Sequence, residues 1–144
     1  MNGRVFLDTN VVAYAFDASA PLKRSRAREL MAKRDWVVSW QVLQEFSHLA
    51  LHKFSVRMTP SDLTEFLDLV LWPHCTVFPG PEIHGAATNL HSQTQYRFYD
   101  CLIVAAALAS GASILLSEDL QEGRVIDGLT IRNPFSDLSQ GPRP

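Results

Sequence analysis

Short apolar runs alternate with stretches of helical periodicity along most of this 144-residue chain. The first run, Val5-Phe6-Leu7, is wholly apolar, which is typical of a strand covered on both faces in a parallel sheet. Further strands are predicted at 36–39, 75–78, 113–117 and 129–131. The alternation predicts an α/β fold with a mainly parallel sheet of about five strands and helices on both faces, joined by right-handed crossovers.

The segments between the predicted strands carry apolar residues at helical spacing. Helices are predicted at about 21–34, 42–54, 59–70, 83–90 and 98–110. The segment from Val11 to Phe16 is interpreted as a small connection, and the polar segment from His91 to Gln95 as a loop. Asp127-Gly128 predicts a turn before the last strand.

Length and composition indicate one domain, assigned to residues 1–135, with a tail at 136–144 that is rich in Gly, Pro and Ser and is expected to fray. Hydrophobic residues make up 47% and charged residues 19%, which argues against a disordered or fibrous class. No apolar run approaches the roughly 20 residues of a membrane span, and no secretory signal is recognisable. We therefore expect a cytoplasmic location and no membrane association.

The net charge of −2 gives no overall attraction to nucleic acid, but six of the 13 basic residues lie between Lys23 and Arg34. This segment, which includes Arg24 and Arg26, is interpreted either as the solvated face of a helix or as a contact for a nucleic-acid backbone. The Trp and Tyr residues are scattered in the sequence and do not alternate with basic residues in the way typical of a base-stacking platform. Trp36, Trp40 and Trp72 are therefore expected in the core or at an interface, and not in a base-stacking platform.

Four acidic residues lie where apolar strands end or where helices are under way: Asp8, Glu45, Asp100 and Asp119. Carboxylates are rarely found in such places without a partner, and no neighbour in the sequence is an obvious counter-ion. In open α/β sheets the functional crevice lies beyond the carboxyl ends of the strands, so these four side chains are expected to meet there. Gathered carboxylates repel one another, and a divalent cation relieves that repulsion.

Oxygen ligands without an accompanying His or Cys cluster favour Mg²⁺ or Mn²⁺ over Zn²⁺. Such an ion stabilises the charge that develops on a phosphodiester during hydrolysis. The pair His48 and His52 does not form an HExxH motif and is interpreted as exposed or capping. Cys75 and Cys101 lack metal-ligand spacing and are interpreted as structural thiols. The acids therefore predict metal-dependent phosphodiester hydrolysis.

Four segments in order resemble the PIN-domain nuclease pattern, with the closest match to the VapC-type toxins. They are 6–10 (Phe-Leu-Asp-Thr-Asn), 44–46 (Gln-Glu-Phe), 99–107 (Tyr-Asp-Cys-Leu-Ile-Val-Ala-Ala-Ala) and 115–120 (Leu-Leu-Ser-Glu-Asp-Leu). The stretches 127–131 and 133–135 also resemble the C-terminal part of those toxins. One departure is Cys101, where alanine is common in the family.

The resemblance implies a three-layer α/β/α PIN-like domain and a magnesium-dependent endoribonuclease, usually a homodimer, that is kept inactive by a VapB-like antitoxin. It also implies that Asp8, Glu45, Asp100 and Asp119 are the catalytic, metal-binding set. Thr9, Asn10 and Ser117 match polar residues that support such a site through hydrogen bonds. Arg97, near Asp100, is a candidate contact for RNA or antitoxin, together with Lys23, Arg24 and Arg26.

Several alternatives stand beside this hypothesis. Asp8-Thr9-Asn10 alone is compatible with a simple turn after a strand, and Asp100 with a helix-start acid. Glu118 is an alternative to Asp119 but is expected to be solvated. A receiver-like or phosphoryl-transfer domain is disfavoured because Lys53 is the last lysine, whereas those families require one late in the chain. A catalytically silent PIN-shaped binding module is the remaining alternative.

Overall fold

The computed structural model describes residues 3–140. The strands are β1 (Val5–Leu7), β2 (Trp36–Ser39), β3 (Cys75–Val77), β4 (Ile114–Leu116), β5 (Val125–Ile126) and β6 (Leu129–Arg132). The α-helices are α1 (Thr9–Tyr14), α2 (Pro21–Ala32), α3 (Trp40–His52), α4 (Pro60–Phe66), α5 (Pro81–Thr94) and α6 (Phe98–Ala109). Helix α4 continues into a π-helical segment, Leu67–Leu71, and a 3₁₀ turn, Trp72–His74.

The sheet has the strand order β3-β2-β1-β4-β6-β5. Strand β1 is parallel to both β2 and β4, β4 is parallel to β6, and β5 alone is antiparallel to its neighbour β6. The chain moves outward from β1 through β2 to β3 and then returns to β4 on the other side of β1. The strand order therefore reverses between β1 and β4, which is where a crevice opens at the carboxyl ends of the strands.

Helices lie on both faces of the sheet because the direction of strand addition changes after β3. Right-handed crossovers place α1 to α4 on one face, where α1 packs against α2 and α3. They place α5 and α6 on the other face, where α6 packs against α5 and against β2 and β4. Helix α6 is apolar nearly all round, and Cys101 and Ile103–Ala107 are buried in it, as expected for a helix between a sheet and a second helix. The predicted α/β fold with a mainly parallel sheet is confirmed.

Two details add to the predicted elements, and one prediction was wrong. The sheet, predicted with about five strands, has six, because the two-residue strand β5 pairs with β6 through a turn at Asp127 and Gly128, both with positive φ. The small segment predicted after β1 is a helix, α1. The polar segment from His91, predicted as a loop, is instead the last turn of α5, which ends at Thr94, with Gln95 in the left-handed conformation.

The described fold also continues beyond the predicted domain boundary at residue 135. Ser136–Gln140 forms a 3₁₀ helix, and Leu138 packs against the core. Two guanidinium nitrogens of Arg26 bind the carboxylate of Asp137, each at 2.9 Å, which fastens this segment to α2. The rest of the predicted frayed tail, residues 141–144, lies outside the described residues.

None of the helices between residues 3 and 140 combines the length and the apolar character that a membrane crossing requires.

Candidate active site

A cleft of about 590 Å³ opens at the carboxyl ends of β1 and β4, and all four predicted acids contribute to its wall. Asp8 directly follows β1, Asp119 follows β4, Glu45 lies in α3, and Asp100 lies in the first turn of α6. Residues from four distant parts of the sequence therefore share one cleft. The strand-order reversal places them there, as the α/β topology predicts.

Asp8 lies at the floor of this cleft and is only 7% exposed. It caps α1, since its Oδ1 accepts a hydrogen bond of 2.7 Å from the backbone N–H of Thr9. Its Oδ2 accepts a 2.8 Å hydrogen bond from the hydroxyl of Ser117. Both carboxylate oxygens are thus held in place, one by the first residue of α1 and one by the residue that follows β4.

Glu45 reaches the cleft from α3 and is oriented by two neighbours. The hydroxyl of Thr9 donates a hydrogen bond of 2.6 Å to Glu45 Oε1. The side-chain amide of Gln41, one turn earlier in the same helix, donates to Glu45 Oε2 at 3.1 Å and also to the backbone carbonyl of Tyr99 at 3.1 Å. Gln41 therefore connects α3 to the start of α6, next to Asp100.

Asn10 and Ser117 fix the position of the loop that carries Asp119. The side-chain amide of Asn10 donates to Asp119 Oδ2 at 3.0 Å, and its carbonyl oxygen accepts from the backbone N–H of Glu118 at 3.2 Å. The hydroxyl oxygen of Ser117 accepts from the backbone N–H of Asp119 at 3.2 Å. Thr9, Asn10 and Ser117 thus occupy the supporting positions that the resemblance assigns to them, and their contribution to catalysis stays a prediction.

Asp100 differs from the other acids because it has a counter-ion. Arg97 Nε lies 3.5 Å from Asp100 Oδ2, one helical turn away, and 88% of the Arg97 side chain is exposed. The expectation that no neighbour neutralises the acids is therefore wrong at this position. An exposed pair of this kind is weak, so Arg97 is free to exchange Asp100 for another anion at the rim of the cleft.

The electrostatics of the cleft are dominated by Asp8. Burial raises the pKa of Asp8 to about 7, although the hydrogen bonds from Ser117 and Thr9 oppose this rise. The negative charges of Glu45 and Asp119 raise the pKa of Asp8 further. A buried carboxyl group with two acidic neighbours favours either a proton or a metal cation in the cleft.

The donor set of the cleft fits a hard divalent cation. Within residues 3–140, no three His, Cys, Asp or Glu side chains stand close enough together to form a complete ligand cluster. Mg²⁺ does not require one, because it usually keeps several waters and takes only one or two protein carboxylates. Asp8 and Asp119 supply carboxylate oxygens after neighbouring strands, and Glu45 and Asp100 line the same cleft.

Two of the predicted contact residues in α2, Lys23 and Arg26, bind acids of the protein itself, whereas Arg24 stays a prediction. Lys23 forms an ion pair with Glu118, which also accepts a 2.7 Å hydrogen bond from the hydroxyl of Tyr14. Arg26 binds Asp137. Glu118 was expected to be solvated, and that expectation is wrong because this paired carboxylate is partly buried between α1 and α2.

Sequence reasoning missed four residues that line the cleft, namely Gln41, Gln44, His48 and Tyr99. Gln41 and Gln44 lie on the same face of α3 as Glu45 and His48, so helical spacing from Glu45 is the signal that identifies them. His48 is exposed and lies beside His52, with ring centroids 5.1 Å apart. Tyr99 precedes Asp100, and its ring is largely exposed at the rim of the cleft.

Comparison with known families gives one assignment. The model of the PIN domain matches residues 5–125, which include all four acids. The chain therefore belongs to the PIN-domain family. A search of curated proteins gave no significant match.

Three solved structures illustrate the likeness in fold. A toxin–antitoxin complex from Klebsiella pneumoniae matches with a TM-score of 0.64 and 13% identity, over 90% of this chain and 97% of that one. VapBC2 from Rickettsia felis, bound to promoter DNA, matches with a TM-score of 0.62 and 19% identity over the same shares. VapC20 from Mycobacterium tuberculosis, a toxin that cleaves the sarcin–ricin loop, matches with a TM-score of 0.60 and 18% identity, over 80% and 89%.

Proposed function

We propose that this protein is a magnesium-dependent endoribonuclease and the toxin of a VapBC-like toxin–antitoxin system. The observation that carries the proposal is the gathering of Asp8, Glu45, Asp100 and Asp119 around one open cleft in a PIN domain. A toxin–antitoxin assembly and an RNA-cleaving toxin among the similar structures support the choice of RNA and of an antitoxin partner.

Asp8, Glu45, Asp100 and Asp119 are the residues that would hold Mg²⁺, and Mn²⁺ would be able to substitute for it. When bound, the ion supplies Lewis-acid stabilisation of the charge that develops on the phosphodiester. Asp8 is held rigid by Ser117 and by the N-terminus of α1. Because the pKa of Asp8 is raised to about 7, the carboxyl group has to lose its proton before it binds a cation.

The polar side chains around the acids position the carboxylates and take no part in the reaction itself. Hydrogen bonds from Thr9 and Gln41 fix the orientation of the Glu45 carboxylate, and a hydrogen bond from Asn10 fixes that of Asp119. Arg97 at the rim carries the charge that a phosphate of the RNA, or an acidic group of the antitoxin, would take up. Lys23 and Arg26 are weaker candidates for this role than Arg97, since both are engaged in ion pairs.

The partners belong to the same proposal. We expect the protein to be a cytoplasmic homodimer, because the VapC-type pattern implies one, and to form an inactive complex with a small VapB-like antitoxin. The catalytically silent alternative makes the opposite prediction for the isolated protein, because a module of that kind needs no metal and cuts nothing.

The test is an RNA cleavage assay on the purified protein with Mg²⁺, with Mn²⁺ and with a chelator. The wild type should cut only when either metal is present, and Asp8→Asn should reduce the rate at least roughly a hundredfold, since it removes the buried carboxylate. Asp17→Asn, which alters an acid outside the cleft, is the matched control and should cut normally. Cutting by the wild type in chelator, or undiminished cutting by Asp8→Asn, would contradict the proposal.

A further inference from the structure

A second, mainly apolar pocket of about 380 Å³ lies beside the acidic cleft. It is formed by the start of α3, the loop after β3, the first turn of α5 and one face of α6. Gln41, Gln44 and Tyr99 line both this pocket and the acidic cleft, so the two lie side by side. A chain-like ligand bound at the acids can therefore place a neighbouring group in the apolar pocket.

Exposed aromatic rings form the wall of this pocket. Phe78 is 53% exposed and Tyr99 is 69% exposed, although both are large apolar side chains. The ring of Trp40 lies 5.9 Å from that of Phe78, and the ring of Trp72 is nearly parallel to that of Phe78 at 6.5 Å. The fold thus brings Trp40 and Trp72, which are 32 positions apart in the sequence, into one aromatic cluster with Phe78.

The pocket also contains an unused hydrogen-bonding group. Ser39 lines it and is only 3% exposed, and its hydroxyl has no hydrogen-bond partner among residues 3–140. Ser39 precedes α3 without capping it through its side chain. A buried polar group without a partner is unfavourable, and a ligand edge that carries donors and acceptors would satisfy it. The exposed amide of Gln44 adds a second such group at the rim.

The small number of free basic residues around the site favours a base as a second anchor of an RNA chain. Among the described residues that line the acidic cleft, Arg97 carries the permanent positive charge. Lys23 and Arg26 are paired with acids of the protein. Where phosphate contacts are few, stacking is a further source of affinity, which every base can provide because each has a π-face.

We propose that this pocket binds one unpaired nucleobase of the RNA, stacked on the exposed ring of Phe78 beside the tilted ring of Trp40, with its polar edge toward Ser39 and Gln44. The proposal rests on the proposed ribonuclease function and specifies its substrate class. A base enters such a pocket only when it is free of its helical neighbours, so the substrate is single-stranded RNA or an unpaired loop. Because the pocket and the cleft lie side by side, a base in the pocket would place a neighbouring phosphate of the chain near the acids.

The experiment measures binding in the Asp8→Asn background, so that RNA is not consumed. The probes are a fluorescently labelled single-stranded RNA of mixed sequence and an oligomer of the same length made of abasic ribose phosphates, which carries the same charge. The unaltered pocket should bind the RNA more tightly than the abasic oligomer. Phe78→Ala should weaken RNA binding by roughly tenfold and leave abasic binding unchanged, as expected for the loss of one stacked base.

Two further variants separate stacking from folding. Phe78→Tyr keeps a ring and should retain the preference for RNA, whereas Leu69→Ala, which truncates an exposed apolar residue outside the pocket, should change neither affinity. In the active protein, Phe78→Ala should raise KM and leave kcat nearly unchanged, as expected for an interaction made equally in the ground state and the transition state.

An RNA affinity that is unchanged in Phe78→Ala would overturn the pocket proposal, and so would an equal loss for the RNA and the abasic oligomer. Loss of antitoxin binding in Phe78→Ala, with RNA affinity unchanged, would overturn it in favour of a protein ligand. Cleavage of RNA by the wild type tests the proposed function separately. If the wild type cuts RNA but Phe78→Ala does not change RNA affinity, the ribonuclease function stands and only the base pocket is refuted.

Discussion

Asp8 combines burial, two fixed hydrogen bonds and two acidic neighbours, so its charge is costly in the absence of a cation. This unfavourable buried charge lies where the strand order reverses. A carboxylate at that position does not improve the packing of the core. The chemistry of the site and the stability of the protein are therefore linked through a single residue.

The first prediction concerns the pH dependence of stability without metal. The folded-state pKa of Asp8 is about 7, above its ordinary value of 3.8, so the folded protein binds more protons than the unfolded chain between these values. The free energy of unfolding should consequently fall as pH rises from about 4 to about 7, by up to about 4 kcal/mol from this residue. Asp8→Asn removes the titrating group and should be more stable than the wild type near pH 8.

Urea unfolding of both proteins with chelator present measures this effect. The advantage of Asp8→Asn should shrink toward pH 4, and Mg²⁺ should reduce it at pH 8 by stabilising the wild type alone. A constant difference between the two proteins across this range would show that Asp8 does not titrate as described.

Thr9 provides the second prediction, because its hydroxyl holds Glu45 through a 2.6 Å hydrogen bond while its backbone holds Asp8. Thr9→Val keeps the shape of the side chain and removes the hydroxyl. Mg²⁺ affinity, measured by calorimetry, should fall about 10-fold to 100-fold, as is typical when a residue that orients a metal ligand is lost. Thr9→Ser restores the hydroxyl and should restore most of the affinity. Equal binding by Thr9→Val and the wild type would limit Thr9 to a structural role.

At the residue level the sequence predicted which four acids share one cleft, but not the ion pairs that acids of this region make. Asp8 and Asp119 follow apolar strands, and these strands can be recognised as apolar runs in the sequence. The ion pair between Lys23 and Glu118 joins residues 95 positions apart and depends on how α2 packs, which no local pattern reports. The grouping of Trp40 with Phe78 has the same cause.

At the level of elements, long segments with clear periodicity were predictable and short ones were not. Helix α1 has six residues, too few to display a helical period, and Val11 and Val12 make it look like part of an apolar run. The polar residues His91, Ser92 and Gln93 predict a loop, but they form the last turn of α5. They are polar because this turn is exposed. Strand β5 has two residues and depends entirely on its pairing with β6.

The β5–β6 turn gives the third prediction. Gly128 has φ of +86°, which an alanine adopts only with strain, although no atom lies within 4 Å of the added methyl group. Gly128→Ala should lower the free energy of unfolding by about 1 to 2 kcal/mol. Gly85 in α5 has equally free space and no positive φ. Gly85→Ala should therefore raise stability, by about 0.5 to 1 kcal/mol. Chemical denaturation of both variants tests this, and a shift of the same sign in both would refute the conformational explanation.

At the level of the whole molecule, the proposed toxin should act in the cell and be neutralised by its partner. We expect that expression of the chain alone arrests growth, and that co-expression with the small gene next to it in the genome restores growth. Asp8→Asn should abolish the arrest while remaining able to form a complex with the antitoxin, because that substitution alters the cleft floor and not the exterior. Arrest by Asp8→Asn equal to that by the wild type would separate toxicity from the acidic site.

The most direct measurement is a crystal structure of the protein grown with Mn²⁺, with the ion located by its anomalous scattering. We propose that the four acids share one cation-binding cleft at the carboxyl ends of β1 and β4. The expected result is an anomalous peak in that cleft with Asp8 as a ligand, absent from crystals of Asp8→Asn. A structure without a peak near Asp8, or with Mn²⁺ bound only elsewhere, would contradict the account.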